Sequence, residues 1–111
     1  MGRPLGGDTL TVQRAGTSTD PYSQLPVQDD WNNPTTHDIP GCDAQPGASA
    51  EYLIGRDFSE VAFTVYAPAG SDVTEYDRVL FRGVVYDVDG TPEVWTGRLG
   101  HVVVHLKVRK G

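Results

Sequence analysis

Hydrophobic and polar residues alternate along several short stretches of the chain, a period of two that is typical of β-strands with one buried face. In residues 8–14, Leu10 and Val12 share one face. In residues 101–109, four apolar side chains are expected to point inward, namely Val102, Val104, Leu106 and Val108. The alternation places Val103 and His105 on the outward face of this last strand.

Three stretches between these two also show strand signals. Residues 36–44 form a plausible second strand. Pro40 lacks the backbone N–H that a ladder needs, so we expect this strand to lie at an edge or to carry a bulge. Residues 58–66 alternate clearly, and residues 77–89 indicate a hairpin that turns at residues 82–83.

The pattern therefore predicts one all-β domain over residues 1–111, with six strands in a small, mostly antiparallel barrel or sandwich and two long loops. The length supports a single domain, since domains commonly have about 100–150 residues. The 13 glycines and 8 prolines favour short strands and many turns over long helices. Closure or stacking of the sheet would bury the apolar faces and protect the strand edges.

The first long loop, residues 15–35, is dense in Ser, Thr, Asp, Asn and Pro, and it is longer than a plain loop in a compact domain normally is. We predict a protruding hairpin or a loop ordered by a partner, and thus a contact arm. The candidate contact residues of this arm are Tyr22, Leu25, Val27 and Trp31. For Trp31, packing within the chain is an equal alternative.

The formal net charge of −6 argues against a freestanding nucleic-acid binder, which needs a basic face. Acidic residues dominate between Asp20 and Glu60, where Arg56 is the one basic residue. The C-terminal segment is basic, and its candidate interface residues are Lys107, Arg109 and Lys110. This asymmetry could let copies of the chain meet head to tail, although a solvated surface with uneven charge is an equal alternative.

Cys42 is the single cysteine, which excludes a disulfide within one chain. The first residues lack the apolar stretch of a signal peptide, and no run approaches membrane-spanning length. We expect a protein that is made in the cytoplasm and stays soluble.

Candidate chemistry is sparse. One cluster resembles a metal site, His37, Asp38, Cys42 and Asp43, but the second ligand pair of a zinc site is missing. His101 and His105 would lie about 13 Å apart on a strand, too far to share an ion. Because no nucleophile motif or nucleotide fingerprint is present, we expect no catalytic residue, no metal, no cofactor and no enzymatic activity. Trp95 is expected to cap the barrel end, with a ligand platform as the alternative.

The second half of the chain carries an ordered set of motifs: Val65-Tyr66-Ala67-Pro68, then Asp77-x-Val79, then Gly83-x-x-Tyr86-x-Val88, then Gly90-x-Pro92-x-x-Trp95. The first half carries Asp8-Thr-Leu-Thr-Val-x-Arg14 and Gly41-Cys-x-x-x-Pro46. With these motifs, nearly the whole chain resembles the head-to-tail stopper, or head-closure, proteins of long-tailed bacteriophages. These are fold motifs and not catalytic signatures. The chain departs from the family in the short stretch 96–100, where members often have a longer loop.

The resemblance implies a virion structural protein at the neck, assembled in the host cytoplasm. It implies a homo-oligomeric ring, a hexamer or a dodecamer, below the portal and adaptor proteins and above the tail terminator and tail tube proteins. Such a ring retains the packaged DNA, which passes through its channel without sequence-specific binding, and it provides the tail attachment surface. No membrane is involved.

In this family a loop between the second and third strands can enter the channel as a plug, which on our strand assignment is residues 45–57. The candidate channel residues are Gly47, Ala48, Ser49, Ala50, Glu51, Tyr52, Leu53, Ile54 and Arg56. The small residues would allow close packing about an axis, although an ordinary surface loop is an equal alternative.

Two other functions remain open from the sequence. One is a tail terminator or tail-completion ring protein. The other is a monomeric β-barrel that binds a peptide or a carbohydrate, with Trp31 and Trp95 as ligand platforms.

Overall fold

The computed structural model describes residues 6–19, 22, 26–47 and 61–109. These residues contain no helix. They form seven strands: β1 (Asp8–Thr19), β2 (Pro26–Pro46), β3 (Val61–Pro68), β4 (Arg78–Phe81), β5 (Val84–Val88), β6 (Glu93–Trp95) and β7 (His101–Val108).

The strands form one antiparallel sheet that closes on itself. Pairing runs in the order β3, β2, β1, β4, β5, β7, and β7 pairs again with β3. We call this closed set of six strands the strand ring. β6 pairs with β7 just beyond the end of β5. The all-β prediction is confirmed, and its six strands correspond to the six of the strand ring.

The seventh strand, β6, was missed because the sequence offers no signal for it. Its three residues are all exposed, so no apolar face alternates with a polar one. Backbone pairing with residues 101–103 of β7 alone makes it a strand.

The first two strands, β1 and β2, are much longer than the stretches 8–14 and 36–44 in which the sequence predicted strands. Their pairing continues to Thr19 opposite Pro26. Of the two alternatives predicted for residues 15–35, the protruding hairpin is therefore the one that the described residues form. The register shifts between Arg14, which lies opposite Thr35, and Gly16, which lies opposite Asp30, so β2 carries a bulge there. Hydrogen-bond ladders between backbones need no alternation of apolar and polar side chains. The polar outer part of the two strands therefore shows no such alternation in the sequence.

The bulge expected near Pro40 is present. Leu10 lies opposite Ile39 while Asp8 lies opposite Cys42, so β2 has one extra residue there. Gly41 supplies the positive φ of 74° at this bulge.

The core lies inside the strand ring. The fully buried side chains of the core are Leu10, Val12, Cys42, Val65, Ala67, Val79, Val104 and Leu106. Leu10 and Val12 are among them, so the alternation of β1 is confirmed. In the last strand burial does not follow the two predicted faces, because Val103 and His105 are buried as well, whereas Val108 is exposed. Alternation separates the two faces of a strand but does not say how far each face is covered.

The two ends of the strand ring differ, and we name them by their connections. The turn end carries the β4–β5 turn at Arg82-Gly83 and the first residues of β3. The arm end carries the β3–β4 loop (residues 69–77), β6, and the point where the β1–β2 hairpin leaves the strand ring.

Candidate functional site

An arginine and two aspartates hold the arm end together. The Arg14 Nε and Nη2 atoms donate to Asp77 at 3.0 and 2.9 Å, and its Nη1 and Nη2 atoms donate to Asp72 at 3.0 and 2.9 Å. Both contacts are bidentate, the strongest arrangement for a guanidinium and a carboxylate. They tie the base of the arm to the β3–β4 loop, whose Val73 is buried in the core.

Backbone contacts complete this network. The buried carboxylate of Asp77 also accepts the Thr74 N–H at 2.8 Å, and the His37 Nε2 lies 2.7 Å from the Asp72 carbonyl oxygen. Hydrogen bonds from Arg14 hold the pKa of Asp72 below its usual range, and hydrogen bonds to both carboxylates raise the pKa of Arg14. The loop is therefore fixed by charges that stabilise one another.

Beside this network, the arm end exposes a set of large apolar side chains. Their exposed fractions are 73% for Tyr76, 70% for Val94, 56% for Trp95 and 79% for Leu99. Tyr76 and Val94 line a groove of about 390 Å³ between residues 71–76 and β6. Clustered exposed apolar groups of this size are typical of interaction surfaces.

Trp95 does not cap the core as expected. Its ring stacks on His101 with centroids 6.0 Å apart and planes inclined by 12°, and His101 also contacts Tyr66. The side chain lies on the outer face because β6 pairs Trp95 directly opposite His101. Trp95 therefore belongs to the exposed surface of the arm end.

A second groove, of about 540 Å³, marks a gap in the strand ring. It lies between residues 37–41 of β2 and residues 68–72. β2 pairs with β3 only over Asp43–Pro46, so these two strands separate beyond that point. The His37 contact to Asp72 crosses this gap.

The turn end is closed by aromatic rings. Phe63 packs edge-on against Phe81 at 5.3 Å and against Tyr86 at 5.8 Å. The Arg82 guanidinium lies 4.7 Å from the Phe81 centroid, and it is 3.5 Å from the Asp8 carboxylate. The inward-facing rings are thus covered by the Arg82 guanidinium, which is itself paired with Asp8.

The predicted arm residues have different positions. Tyr22 is almost fully exposed. Trp31 packs within the chain, because the Arg78 guanidinium lies 3.7 Å from its ring centroid. Leu25 lies outside the described residues, as does the side chain of Val27 on β2. Their contact role stays a prediction.

Most of the predicted channel loop lies outside the described residues, namely Ala48, Ser49, Ala50, Glu51, Tyr52, Leu53, Ile54 and Arg56. Gly47 is described, and it is fixed to β3. Its N–H donates to the Ala62 carbonyl at 2.8 Å, and its carbonyl accepts the Thr64 hydroxyl at 2.8 Å.

The predicted basic interface is partly neutralised. The Lys107 Nζ lies 3.8 Å from an Asp89 carboxylate oxygen. The charge of Arg109 lies close enough to Arg78 to act on it. The pKa of Arg78 is lowered first by desolvation and then by this charge. Lys110 lies outside the described residues.

The residues of the candidate metal cluster each have a separate partner. Asp38 accepts the Thr11 hydroxyl, the Cys42 thiol donates to the Ile39 carbonyl, and Asp43 accepts the Gln45 amide. Burial raises the pKa of Cys42 to about 11. Within the described ranges, no three His, Cys, Asp or Glu side chains lie close enough together to hold a metal ion.

Sequence reasoning missed the charge network and the apolar surface. One signal was available, because Arg14 follows Leu10 and Val12 at a spacing of two and so falls on the inward face of β1. An inward arginine requires an anionic partner. Tyr76, Val94 and Leu99 gave no comparable signal, since scattered apolar residues in turn-rich segments are normal.

In the part of the chain that is described, no helix is long and apolar enough to cross a membrane. No protein-family model matches the chain, and no curated protein matches it in sequence.

Proposed function

We propose that this chain is a virion structural protein, the subunit of a head-to-tail stopper ring in a long-tailed bacteriophage. The ring would lie below the portal and adaptor, retain the packaged DNA and offer the attachment surface for the tail. The sequence motifs suggest this role, and one structural observation supports assembly into a ring of subunits.

That observation is the unsupported outer half of the β1–β2 hairpin. β4 pairs with β1 only over Thr11–Gln13, and β3 pairs with β2 only over Asp43–Pro46. Beyond Gly16 and Asp30, the two arm strands pair only with each other among the described strands. A two-stranded ribbon is marginally stable alone in water, so a neighbouring subunit would stabilise it.

Charge also favours this role over DNA binding. The chain carries a formal net charge of −6, and acidic groups facing a channel repel the DNA phosphates. The duplex would then move through the ring without adhering to it.

The test is the number of copies of this chain in purified phage particles, measured by quantitative mass spectrometry against the capsid protein. We expect six or twelve copies per particle, which is what one ring at the neck would require. Absence of the chain from particles would contradict the proposal.

Removal of the gene separates the stopper from its nearest alternative. Without a stopper, filled heads are expected to lose their DNA, whereas without a tail terminator the tails would have uncontrolled lengths. A variant in which residues 17–28 are replaced by Asn-Gly keeps the pairing inside the strand ring. It should fold and yet fail to restore DNA retention.

The exposed stack of Trp95 on His101 supports a second candidate, a monomeric module that binds a peptide or a carbohydrate through an aromatic platform. A chain that is absent from particles and whose tryptophan fluorescence is quenched by such a ligand would favour it.

A further inference from the structure

We infer that the open edge of β6 binds an extended peptide segment of another protein, which adds a strand to the sheet. The segment would carry apolar side chains on one face and lysine or arginine side chains on the other. This inference goes beyond the proposed function, because a peptide at this edge neither builds a ring nor retains DNA. Its site is the groove at the arm end between β6 and residues 71–76.

The open edge follows from the pairing of β7. One side of β7 is occupied by β3 between His101 and Lys107, so β5 and β6 share the other side. Beyond β5 lies β4. Beyond β6 the described residues provide no strand, and the groove takes that place. No described residue of the β1–β2 hairpin lines the groove.

The backbone of Val94 points into this groove. The Trp95 carbonyl oxygen faces β7, because it lies 3.0 Å from the point that a Cβ on Gly100 would occupy. Alternate residues of a strand direct their N–H and C=O groups to opposite sides, so those of Val94 point away from β7. In the described part of the chain, no hydrogen bond outside the strand ladders engages either group. Such an edge is a template for a further strand.

The opposite wall of the groove is already engaged in hydrogen bonds of its own. The Thr74 N–H donates to the Asp77 carboxylate, the Tyr76 N–H donates to the Thr74 hydroxyl, and the Thr74 carbonyl accepts the Asp77 N–H. Ion pairs of Arg14 with Asp72 and Asp77 hold the loop in place. The groove is therefore preformed, which lowers the ordering cost of binding a peptide.

The side chains of β6 specify what the added strand should carry. Val94 pairs with the buried Val102, so it continues the inward face, and it lines the groove together with Val73. Glu93 and Trp95 lie on the other face of β6. An apolar residue opposite Val94 would extend the core, whereas a cation beside Glu93 and Trp95 would gain an ion pair and a contact with an aromatic ring that is 56% exposed.

The charges around the groove favour the same basic segment. Glu75 and Glu93 are exposed, and neither has an ion pair with another described residue. Asp72 is paired with Arg14 and adds little. The exposed cation that follows β6, Arg98, does not line the groove. Two unpaired carboxylates therefore attract lysine or arginine side chains and disfavour an acidic segment.

Strand addition of this kind takes its affinity from backbone hydrogen bonds and its specificity from alternate side chains. The residue opposite Val94 would exchange both backbone hydrogen bonds with it and share its inward face. The apolar residues of the segment therefore direct their N–H groups at β6, which gives the test a backbone control.

The probe is the synthetic peptide Lys-Val-Lys-Val-Lys-Val-Lys, with blocked ends and a fluorescent label. We expect the full-length chain to bind it with a dissociation constant of about 100 μM or below, measured by fluorescence anisotropy. Lys-Lys-Val-Val-Val-Lys-Lys has the same composition without the alternation. The alternating peptide with N-methylated valines lacks the N–H groups that would face Val94. Both control peptides should bind at least tenfold more weakly.

Two full-length variants test the edge itself. Val94→Pro removes the N–H that points into the groove but leaves the ladder to β7 intact, as proline does on an edge strand. Glu93→Lys reverses the charge of an exposed side chain. Each should weaken binding of the alternating peptide at least tenfold. Leu99→Ala is the matched control, because it truncates an exposed apolar side chain of the arm end that does not line the groove, and its binding should equal that of the original chain.

Hydrogen exchange measured by NMR locates the bound peptide. The Val94 amide of the original chain should exchange at least tenfold more slowly when the alternating peptide is saturating, because its N–H then donates to the peptide. Circular dichroism checks that each variant keeps its β-structure.

An alternating peptide that does not bind, or that binds no better than the two control peptides, would overturn the inference. Unchanged binding by Val94→Pro or an unprotected Val94 amide would do the same. A chain that self-associates without peptide, and that Val94→Pro makes monomeric, would assign the edge to a second copy instead. None of these results decides the proposed function, which depends separately on the copy number in particles.

Discussion

The two ends of the strand ring are closed by different chemistry. At the turn end, Phe63, Phe81 and Tyr86 pack edge to face beneath Arg82. At the arm end, a single guanidinium joins β1 to two carboxylates of the β3–β4 loop. One end is stabilised by the burial of rings and the other by directional contacts between charges.

This difference has physical consequences for the two ends. Ring burial has no preferred direction and does not depend on ionisation. A bidentate ion pair fixes the orientation of the loop that carries it, but it depends on both groups remaining charged. The arm end, where the hairpin and the exposed apolar surface meet, therefore contains a stabilising contact that depends on pH, the Arg14–Asp72 pair.

The largest effect should come from the turn end. Phe81→Ala removes a buried ring and leaves a cavity beside Phe63, so we expect a loss of about 4 kcal/mol in the free energy of unfolding. Urea denaturation monitored by circular dichroism measures it. Val84→Ala, at a half-exposed site on the next strand, should cost less than about 1 kcal/mol; equal losses for both would contradict the packing described for this end.

A smaller loss is expected at the arm end. Asp77→Ala removes a buried carboxylate that accepts two hydrogen bonds from Arg14 and one from Thr74. Because the arginine and the loop N–H lose their partner, the free energy of unfolding should fall by about 3 kcal/mol. The same urea titration measures it. Asp38→Ala, which removes an exposed carboxylate bound to Thr11, is the control and should change stability by less than about 1 kcal/mol.

The smallest effect concerns pH. The pKa of Asp72 in the folded chain is below its usual value because Arg14 binds it. Its contribution is therefore present above the unfolded pKa and is lost as the pH falls through the folded one. Two-thirds of its side chain is exposed, so Asp72→Asn should cost at most about 1 kcal/mol at pH 7.

The difference between Asp72→Asn and the original chain should shrink as the pH falls through the lowered pKa of folded Asp72, because below it both chains carry a neutral group at position 72. Thermal unfolding of both chains in steps from pH 7 to about pH 2 tests this. A difference that stays the same over the whole range would show that Asp72 acts through packing and not through its charge.

Several elements of the fold could be predicted from the sequence. Leu10 and Val12 in β1 were placed on one face by alternation, and both are buried. The turn at Arg82-Gly83 was also predicted, and its two positive φ angles, 51° and 79°, are those of a two-residue hairpin turn. These features are local, because they depend on residues within a few positions of each other.

The outer half of the β1–β2 hairpin was predicted only as one of two alternatives for residues 15–35, and strand β6 was not predicted. Both depend on backbone pairing that carries no apolar signature. Trp95 was misplaced for this reason, since the register of β6 against His101 decides its face.

The sequence alone determined the all-β class, the strands with an alternating apolar face and the single cysteine, because periodicity and composition are properties of neighbouring residues. Tertiary structure decided that six strands close into a ring, that Arg14 meets Asp72 and Asp77 from about sixty positions away, and that Tyr76, Val94, Trp95 and Leu99 collect at the arm end. These outcomes depend on which distant residues pair, and pairing is set by the closure of the whole sheet.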